Sequence, residues 1–134
     1  MTVVKREQLP LQTSSDVVVA RQKVRQWAIE LRFSLVDQTK MVTAASELAR
    51  NAVVHGGGGS LLWECLVDGG KKGLRLTFAD KGPGIANLEL ALTDGWTTGS
   101  GLGMGLSGAK RLVNEFDIES QVGKGTRVTI TRWK

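Results

Sequence analysis

Glycine is concentrated in a few short clusters, and these clusters divide the chain into its elements. The sequence has 17 glycines among 134 residues but only 2 prolines, whereas a glycine share of about 7% is usual. Because glycine adopts backbone angles that other residues avoid, such clusters indicate loops of special geometry instead of a flexible linker. The largest clusters are Gly56–Gly59, Gly82–Gly84, Gly99–Gly108 and Gly123–Gly125.

The hydrophobic periodicity between these clusters predicts the element order β-α-α-β-β-loop-α-β-β. Alternating residues predict a strand at about Thr2–Gln8. Runs on either side of glycine turns predict strands at about Ser60–Val67, Gly73–Ala79, Asp117–Val122 and Thr126–Trp133. Helical spacing predicts helices at about Val17–Leu31, Val36–His55 and Gly105–Phe116, and a short one near Leu88–Leu92. Ser14, Ser15 and Asp16 are candidate caps of the first helix. Strands that occur in runs favour helices on one face of a mixed sheet, in one α+β domain over residues 1–134.

Composition and charge exclude several classes of protein. The net charge of +5 raises the possibility of nucleic-acid binding, but the basic residues are scattered and few aromatic residues could stack on bases. We therefore expect no nucleic-acid partner, and an acidic protein or a phosphate-bearing ligand suits the charge as well. No segment has the roughly 18 apolar residues that a membrane span needs, and a single Cys65 and a single His55 exclude a disulfide framework and a zinc site. We expect a cytoplasmic protein without membrane contact.

Polar residues of the second predicted helix could carry chemistry. Glu47, Asn51 and His55 follow one another at intervals of four residues, so they share one helix face. An amide oxygen is a ligand that Mg²⁺ accepts, and a carboxylate one turn away could receive a proton. The same residues, together with Arg50, could instead form an ordinary solvated face. His55 is assigned no chemistry, and a structural role is favoured for it.

Two glycine-containing segments could form a ligand site. The segment Asp80–Ile85 follows an apolar strand and places a carboxylate beside glycines, which would let a flat ring approach the backbone. It could also be a plain turn. The segment Gly99–Leu106 opens a predicted helix, so its amide groups could bind phosphate, unless it is only a mobile loop. No Gly-x-x-x-x-Gly-Lys-Ser/Thr sequence is present, which excludes the usual P-loop proteins.

Taken in order, these segments resemble the motifs of the GHKL ATPase/kinase superfamily. Glu47 to Asn51 is similar to its N box, Asp80-x-Gly82-x-Gly84 to its G1 box, and Gly101-x-Gly103-x-Gly105 to its G2 box. Gly125-Thr126 is similar to its terminal Gly-Thr strand. Within the superfamily, the segments Thr43–Asn51, Gly70–Leu74, Asp80–Ile85 and Gly101–Leu112 look most like the switch-protein serine/threonine kinases of the bacterial stressosome. The resemblance implies a Bergerat-type two-layer α/β sandwich with helices on one face of a mixed, mostly antiparallel sheet.

The resemblance also implies cofactors and residue roles. ATP and Mg²⁺ would be bound, with Asn51 as the metal ligand and Glu47 as the base that receives the proton of a substrate hydroxyl. Asp80 would recognise adenine, and Thr126 would support it through water. The implied nucleotide-binding positions are Asn51, Asp80, Gly82, Gly84, Ile85, Gly101, Leu102, Gly103, Met104, Gly105 and Thr126.

The function that the resemblance implies is an ATP-dependent protein serine/threonine kinase. Its substrate would be a STAS-domain protein of the stressosome, a scaffold or an antagonist. Once released, the kinase would bind the regulator domain of a phosphatase and activate it in bacterial stress or second-messenger signalling. Two alternatives remain open: an anti-sigma factor with serine kinase activity and the same fold, and a nucleotide-binding interaction module without catalysis. The presence of Glu47, Asn51 and Asp80 speaks against the second alternative.

Overall fold

The fold is a two-layer sandwich of helices on one face of a five-stranded sheet. The computed structural model describes residues 1–92 and 104–134. Its elements are β1 (Thr2–Leu11), α1 (Ser14–Glu30), α2 (Leu35–Val54), β2 (Gly59–Asp68), β3 (Lys71–Asp80), α3 (Leu88–Ala91), α4 (Met104–Arg111), β4 (Glu115–Gln121) and β5 (Gly125–Trp133). The strand order is β1-β2-β3-β5-β4, and each neighbouring pair is antiparallel. The predicted α+β sandwich is confirmed, although the described sheet is antiparallel throughout and not mixed.

The core lies between the helices and the sheet face that they cover. β3 directs Leu74, Leu76 and Phe78 into this core, because alternate residues of a strand point to the same side. The central helix, α2, packs on α1, on α4 and on the sheet. It contributes mainly small buried residues, Ala44, Ala45, Ala49 and Ala52. Within residues 1–92 and 104–134, no helix is both long enough and apolar enough to cross a bilayer.

The first strand and helix extend further than the periodicity predicted. β1 continues through Pro10, which pairs with Ser60, and an edge strand tolerates proline because its outer N–H groups need no partner. Thr13, not one of the three predicted residues, caps α1. Its hydroxyl accepts the Asp16 N–H, and the Asp16 carboxylate accepts the Thr13 N–H at 3.2 Å. This capping box starts the helix at Ser14, three residues before the predicted Val17.

The last helix is shorter than predicted because Asn114 bonds to β5. α4 ends at Arg111, whereas the sequence predicted a helix that reaches Phe116. The Asn114 N–H donates to the carbonyl oxygen of Thr131 at 3.0 Å, and its side-chain oxygen accepts the Trp133 N–H at 2.7 Å. These bonds draw the chain into the sheet, so that β4 begins at the next residue.

Arg132 of β5 links the start of α2 to the end of α4. Its guanidinium donates to Asp37 Oδ1 at 2.6 Å and to the carbonyl oxygen of Leu112 at 2.8 Å. The hydrogen bond from Arg132 is the main cause that lowers the pKa of Asp37. Leu106, near the other end of α4, lines the cavity described below. Arg132 therefore positions α4 from the end that lies away from the cavity.

The sheet face opposite to the helices contains a buried carboxylate between two arginines. The Glu64 side chain is only 5% exposed, and it accepts hydrogen bonds from Arg75 Nε and Arg6 Nη2, each at 2.9 Å. The bond from Arg75 is the main cause that lowers the pKa of Glu64, and the bond from Arg6 acts in the same direction while burial opposes both. The two arginines thus stabilise the ionised form of Glu64 in the folded chain.

This cluster predicts a specific pH dependence of stability. A carboxyl group whose pKa falls on folding stabilises the fold above its ordinary pKa, here 4.5, and this contribution is lost as the pH falls through the folded-state pKa. We expect Glu64→Gln to lower the free energy of unfolding by about 1–3 kcal/mol near pH 7, because it removes the charge that both arginines bind. Urea unfolding should show a smaller difference from wild type near pH 3. An equal difference at both pH values would contradict this account.

Candidate active site

An open cavity of about 210 Å³ lies between α2 and the adjoining ends of β3 and β5. Its polar side chains belong to Asn51, His55, Asp80 and Thr126. The rest of its lining is apolar side chains and glycine: Leu48, Ala52, Gly56, Phe78, Pro83, Gly84, Ile85, Leu106 and Val128. A mostly apolar cavity with a few convergent polar groups is typical of a site for a small organic ligand.

The structure brings five of the twelve predicted site residues together at this cavity. Five of them line the cavity: Asn51, Asp80, Gly84, Ile85 and Thr126. Gly82 lies beside the cavity, where its N–H donates to Asp80 Oδ1 at 2.9 Å. Glu47 is not part of the lining. Gly101, Leu102 and Gly103 lie outside the described residues, and of Met104 and Gly105 only the backbone, the start of α4, is described.

Three polar residues, Asp80, Thr126 and Ser120, lie side by side across β3, β5 and β4 at the edge of the apolar core. Asp80 pairs with Thr126 across β3 and β5, and Thr126 pairs with Ser120 across β5 and β4. The next row of the same sheet face is apolar: Phe78, two residues before Asp80, pairs with Val128, two residues after Thr126, and both side chains are buried. The row of Asp80, Thr126 and Ser120 therefore continues the core face of the sheet, but with hydrogen-bonding groups in place of apolar ones.

Glycine is required where two loops approach this row. A side chain at Gly56, just after α2, would overlap the Asp80 side chain. Gly84 has a φ of +77°, and a side chain there would overlap the Gln121 carbonyl of β4. Gly123 N–H donates to the carbonyl oxygen of Pro83 at 2.8 Å. The loop after β3 is thus held against the β4–β5 hairpin, and together they form one wall of the cavity.

Asn51 presents a buried oxygen to this site. Its Oδ1 atom is inaccessible to solvent and has no hydrogen-bond partner among the described residues. A buried acceptor without a partner costs free energy, which makes this atom a candidate ligand-binding group. An amide oxygen is a suitable ligand for a hard cation such as Mg²⁺.

Glu47 lies one helical turn before Asn51, towards the start of α2. Its side chain is 32% exposed, and its Oε1 atom lies 3.8 Å from Nη1 of Arg50. A rise of about 1.5 Å per residue places Glu47 about 6 Å from Asn51 along the helix axis. Gly56, which contacts Asp80, follows Asn51 at the other end. Along α2 the order is therefore Glu47, then Asn51, and then Gly56 just after the helix, where the chain approaches Asp80.

His55 ends α2 and also lines the cavity. Its N–H donates to the Asn51 carbonyl oxygen at 2.9 Å, and the N–H of Gly56 donates to the same oxygen at 3.1 Å. The structural role that the sequence favoured for His55 is consistent with this helix-capping position.

Besides the apolar lining of the cavity, the sequence analysis gave no role to Gly56 or to Ser120, which lies behind the cavity wall. Gly56 is the first glycine after α2. Its position directly after His55 could have indicated that it lies near the site. Ser120 bonds to the Ile85 N–H and to Thr126. Strand alternation puts Ser120 on the same side as Phe116 and Ile118, which indicates its orientation but not its partners.

Comparisons with known proteins identify relatives over nearly the whole chain. The model of the family described as "Histidine kinase-, DNA gyrase B-, and HSP90-like ATPase" matches residues 36–134. Serine/threonine-protein kinase RsbT of Bacillus subtilis (strain 168) is 45% identical over 123 residues, which cover 92% of this chain and 92% of that protein. An anti-sigma F factor of Clostridium acetobutylicum is 32% identical over 129 residues, covering 91% of this chain and 88% of that protein.

Solved structures share the fold. The crystal structure of the RsbU and RsbW domains of a Mycobacterium tuberculosis protein matches with a TM-score of 0.65 at 23% identity. The match covers 98% of this chain, which spans only 33% of that longer chain. The mycobacterial sensor histidine kinase MprB matches with a TM-score of 0.57 at 18% identity, covering 96% of this chain and 97% of that one. At these identities the likeness concerns the fold alone.

Proposed function

The chain belongs to the family of histidine kinase-, DNA gyrase B- and HSP90-like ATPases, and we propose that it is an ATP-dependent protein serine/threonine kinase. The observation that carries this proposal is the set of polar groups at one cavity. Asn51, Asp80 and Thr126 all line it, the Asn51 side-chain oxygen is buried without a partner among the described residues, and Glu47 precedes Asn51 by one turn of α2. The similarity to the kinase RsbT supports the same activity.

The cavity suits the adenine base of ATP. Asp80 can accept a hydrogen bond from the exocyclic amine, and the apolar side chains of Phe78, Ile85 and Val128 can pack against the ring. The triphosphate would then extend along α2 past Asn51. The start of α4, next to Leu106, would place backbone N–H groups near the phosphates. Gly101, Leu102 and Gly103 are proposed to complete this phosphate site.

The residues present fit a magnesium ion, which would be held by Asn51. The described part of the chain has no cluster of three or more His, Cys, Asp or Glu residues that could enclose a metal. Mg²⁺ does not need such a cluster, because it commonly takes one or two protein oxygens and completes its shell with phosphates and water. The unpartnered Oδ1 of Asn51 would be the protein ligand. When bound, Mg²⁺ neutralises phosphate charge.

Glu47 is proposed to act as the base of the transfer. The oxygen of a substrate serine or threonine would bond to the γ-phosphorus while the bond from that phosphorus to the β–γ bridging oxygen breaks, and Glu47 would take the hydroxyl proton. Phosphoryl transfer depends mainly on positioning and charge neutralisation, so few reactive side chains are needed. The Glu47 side chain is 32% exposed, so a protein substrate could approach it from solvent.

The proposed substrate is a STAS-domain protein, and the chain is proposed to act in the cytoplasm. A net charge of +5 would attract an acidic partner and accelerate association at low salt. A newly added phosphate would carry about two negative charges close to Glu47, so the phosphorylated product should be released. The freed kinase would then bind the regulator domain of a phosphatase.

A phosphotransfer assay tests this function. Incubation with γ-labelled ATP, Mg²⁺ and candidate STAS proteins should label serine or threonine in one of them, and a pull-down should retain its unmodified form and release its phosphorylated form. Equal retention of both forms would contradict the release step while leaving the kinase activity intact. Tight binding of a sigma factor without labelling of any STAS protein would favour the anti-sigma alternative, which the similarity to anti-sigma F factors keeps open.

A further inference from the structure

Arg132 is a mostly buried cation that lies far from the cavity. Its side chain is only 14% exposed, and strand alternation places it on the core-facing side of β5 together with Val128 and Ile130. Thr126, at the cavity end of β5, comes six residues earlier in the strand. A rise of about 3.3 Å per residue puts Arg132 about 20 Å further along, so it cannot contact a base in the cavity.

The guanidinium of Arg132 joins two helices. Its Nη2 atom donates to Asp37 Oδ1 in the first turn of α2 at 2.6 Å, and its Nη1 atom donates to the carbonyl oxygen of Leu112, directly after α4, at 2.8 Å. A guanidinium is planar and rigid, so the two bonds together fix the distance between both acceptors. Asp37 precedes Glu47 by ten residues, which is about 15 Å along α2. The link is therefore remote from the proposed base as well.

The contact between α2 and α4 is otherwise largely apolar. α4 packs on α2 with the buried residues Leu106 and Ala109, and α2 contributes mainly buried alanines. Apolar contact has no preferred direction, so it resists separation of the two helices more than sliding of one along the other. Hydrogen bonds weaken steeply when their geometry changes. The link through Arg132 therefore determines where the short helix α4 lies along α2.

The position of α4 relative to α2 determines whether both helices can act on one ligand. In the proposed function, Asn51 of α2 holds the metal, and backbone N–H groups at the start of α4 bind phosphate. These groups would all contact the same triphosphate, so a shift of α4 along α2 would move one set out of reach of the other.

We propose that Arg132 is a positioning residue that aligns α4 with α2, so that both helices bind the triphosphate of ATP together. The inference rests on the proposed function, in which the cavity binds the base of ATP and the phosphates extend along α2. Arg132 acts through Asp37 and Leu112 and does not touch the nucleotide. The binding of the base should not depend on this link, because Asp80 and Thr126 belong to the sheet.

The ratio of the affinities for ATP with Mg²⁺ and for adenosine tests this proposal, because adenosine has the base and ribose but no phosphate. Wild type should bind ATP more tightly than adenosine. Arg132→Met keeps an unbranched side chain in the buried position but removes both hydrogen bonds. We expect the ratio to fall about tenfold, as when charge-assisted hydrogen bonds are lost, while the affinity for adenosine stays close to wild type. Calorimetric titration measures both affinities without turnover.

Asp37→Ala removes the same link from its other end. It also raises the net charge of the chain by one, whereas Arg132→Met lowers the net charge by one. A general attraction of the chain for the triphosphate would therefore change in opposite directions in the two variants. The proposal predicts a fall of the ratio in both of them, and no further fall when the two substitutions are combined. If Arg132→Met does not fold, as judged by circular dichroism, Asp37→Ala decides alone.

Arg127→Met is the matched control for the loss of a positive charge. Arg127 also belongs to β5 and forms an ion pair with Glu119 at 2.6 Å, but its side chain is 55% exposed. It lies on the sheet face opposite to Thr126 and does not line the cavity. Its replacement should leave the ratio close to the wild-type value. Urea unfolding of each variant records the change in stability separately from the change in the ratio.

The outcomes separate this inference from the proposed function. If Arg132→Met and Asp37→Ala keep the ratio of Arg127→Met, or weaken ATP and adenosine by the same factor, the link only stabilises the fold. The inference is then wrong while the ATP site stands. A fall in Arg132→Met without one in Asp37→Ala would also contradict it, because the bond to α2 would have no part in the effect. If wild type binds neither ligand, the proposed function fails, and the inference fails with it.

Discussion

Glu47→Gln should slow phosphotransfer by about 10²–10⁴-fold while ATP binding stays close to that of wild type. Glutamine has nearly the same size and polarity but cannot take the proton of the substrate hydroxyl. Binding should be preserved because Glu47 does not line the cavity. Single-turnover transfer of labelled phosphate measures the first effect, and calorimetric titration with ATP and Mg²⁺ measures the second.

Glu30→Gln is the matched control for this prediction. Glu30 is also a helix-surface glutamate in an ion pair, 3.7 Å from Lys5, but it belongs to α1 and does not line the cavity. Its replacement should leave both transfer and binding unchanged. Loss of ATP affinity in Glu47→Gln, or an undiminished transfer rate, would mean that Glu47 is not the base.

Asn51→Ala should remove most of the dependence of ATP binding on Mg²⁺, with an affinity loss of about 10–100-fold in the presence of the ion. The free energy of unfolding should stay nearly the same, because the oxygen that is removed has no partner among the described residues. Titration with ATP in Mg²⁺ and in a chelator, together with urea unfolding, measures both quantities.

Asn114→Ala is the control for this prediction, and we expect it to change stability but not the Mg²⁺ dependence of ATP binding. The Asn114 side-chain oxygen accepts the Trp133 N–H at 2.7 Å and lies outside the cavity lining. Its loss should lower the stability and leave the Mg²⁺ dependence of ATP binding intact. If Asn51→Ala destabilised the chain as Asn114→Ala does and kept its response to Mg²⁺, the buried oxygen would be a structural group and not a metal ligand.

The fold was predictable to the extent that local patterns determine it. Alternation and glycine turns predicted all five strands, and helical spacing predicted all four described helices. Element ends were misplaced where a particular hydrogen bond decides them, as Thr13 does at the start of α1 and Asn114 does after α4. A periodic pattern contains no information on such bonds, least of all on one between residues far apart in the chain.

The candidate site was predictable through its motifs and less so through its contacts. Motif order grouped Asn51, Asp80 and Thr126, and the fold brings these three residues to one cavity, while their roles stay predictions. Ser120 was missed because its significance comes from a bond to Ile85, 35 residues away in the chain. The roles of Gly101, Leu102 and Gly103 and the single-domain organisation over residues 1–134 stay predictions.

The strand order has a consequence for how the chain is made. β5 follows β4 in the chain but lies between β3 and β4, so during synthesis β4 emerges before β5, its partner in the described sheet. An unpaired strand with a uniformly apolar surface tends to aggregate with other chains. β4 instead alternates its half-buried residues with exposed Glu115, Asp117 and Glu119. These acidic side chains can keep the nascent strand solvated until β5 is synthesised. The row of Asp80, Thr126 and Ser120 can form only then, because Thr126 belongs to β5.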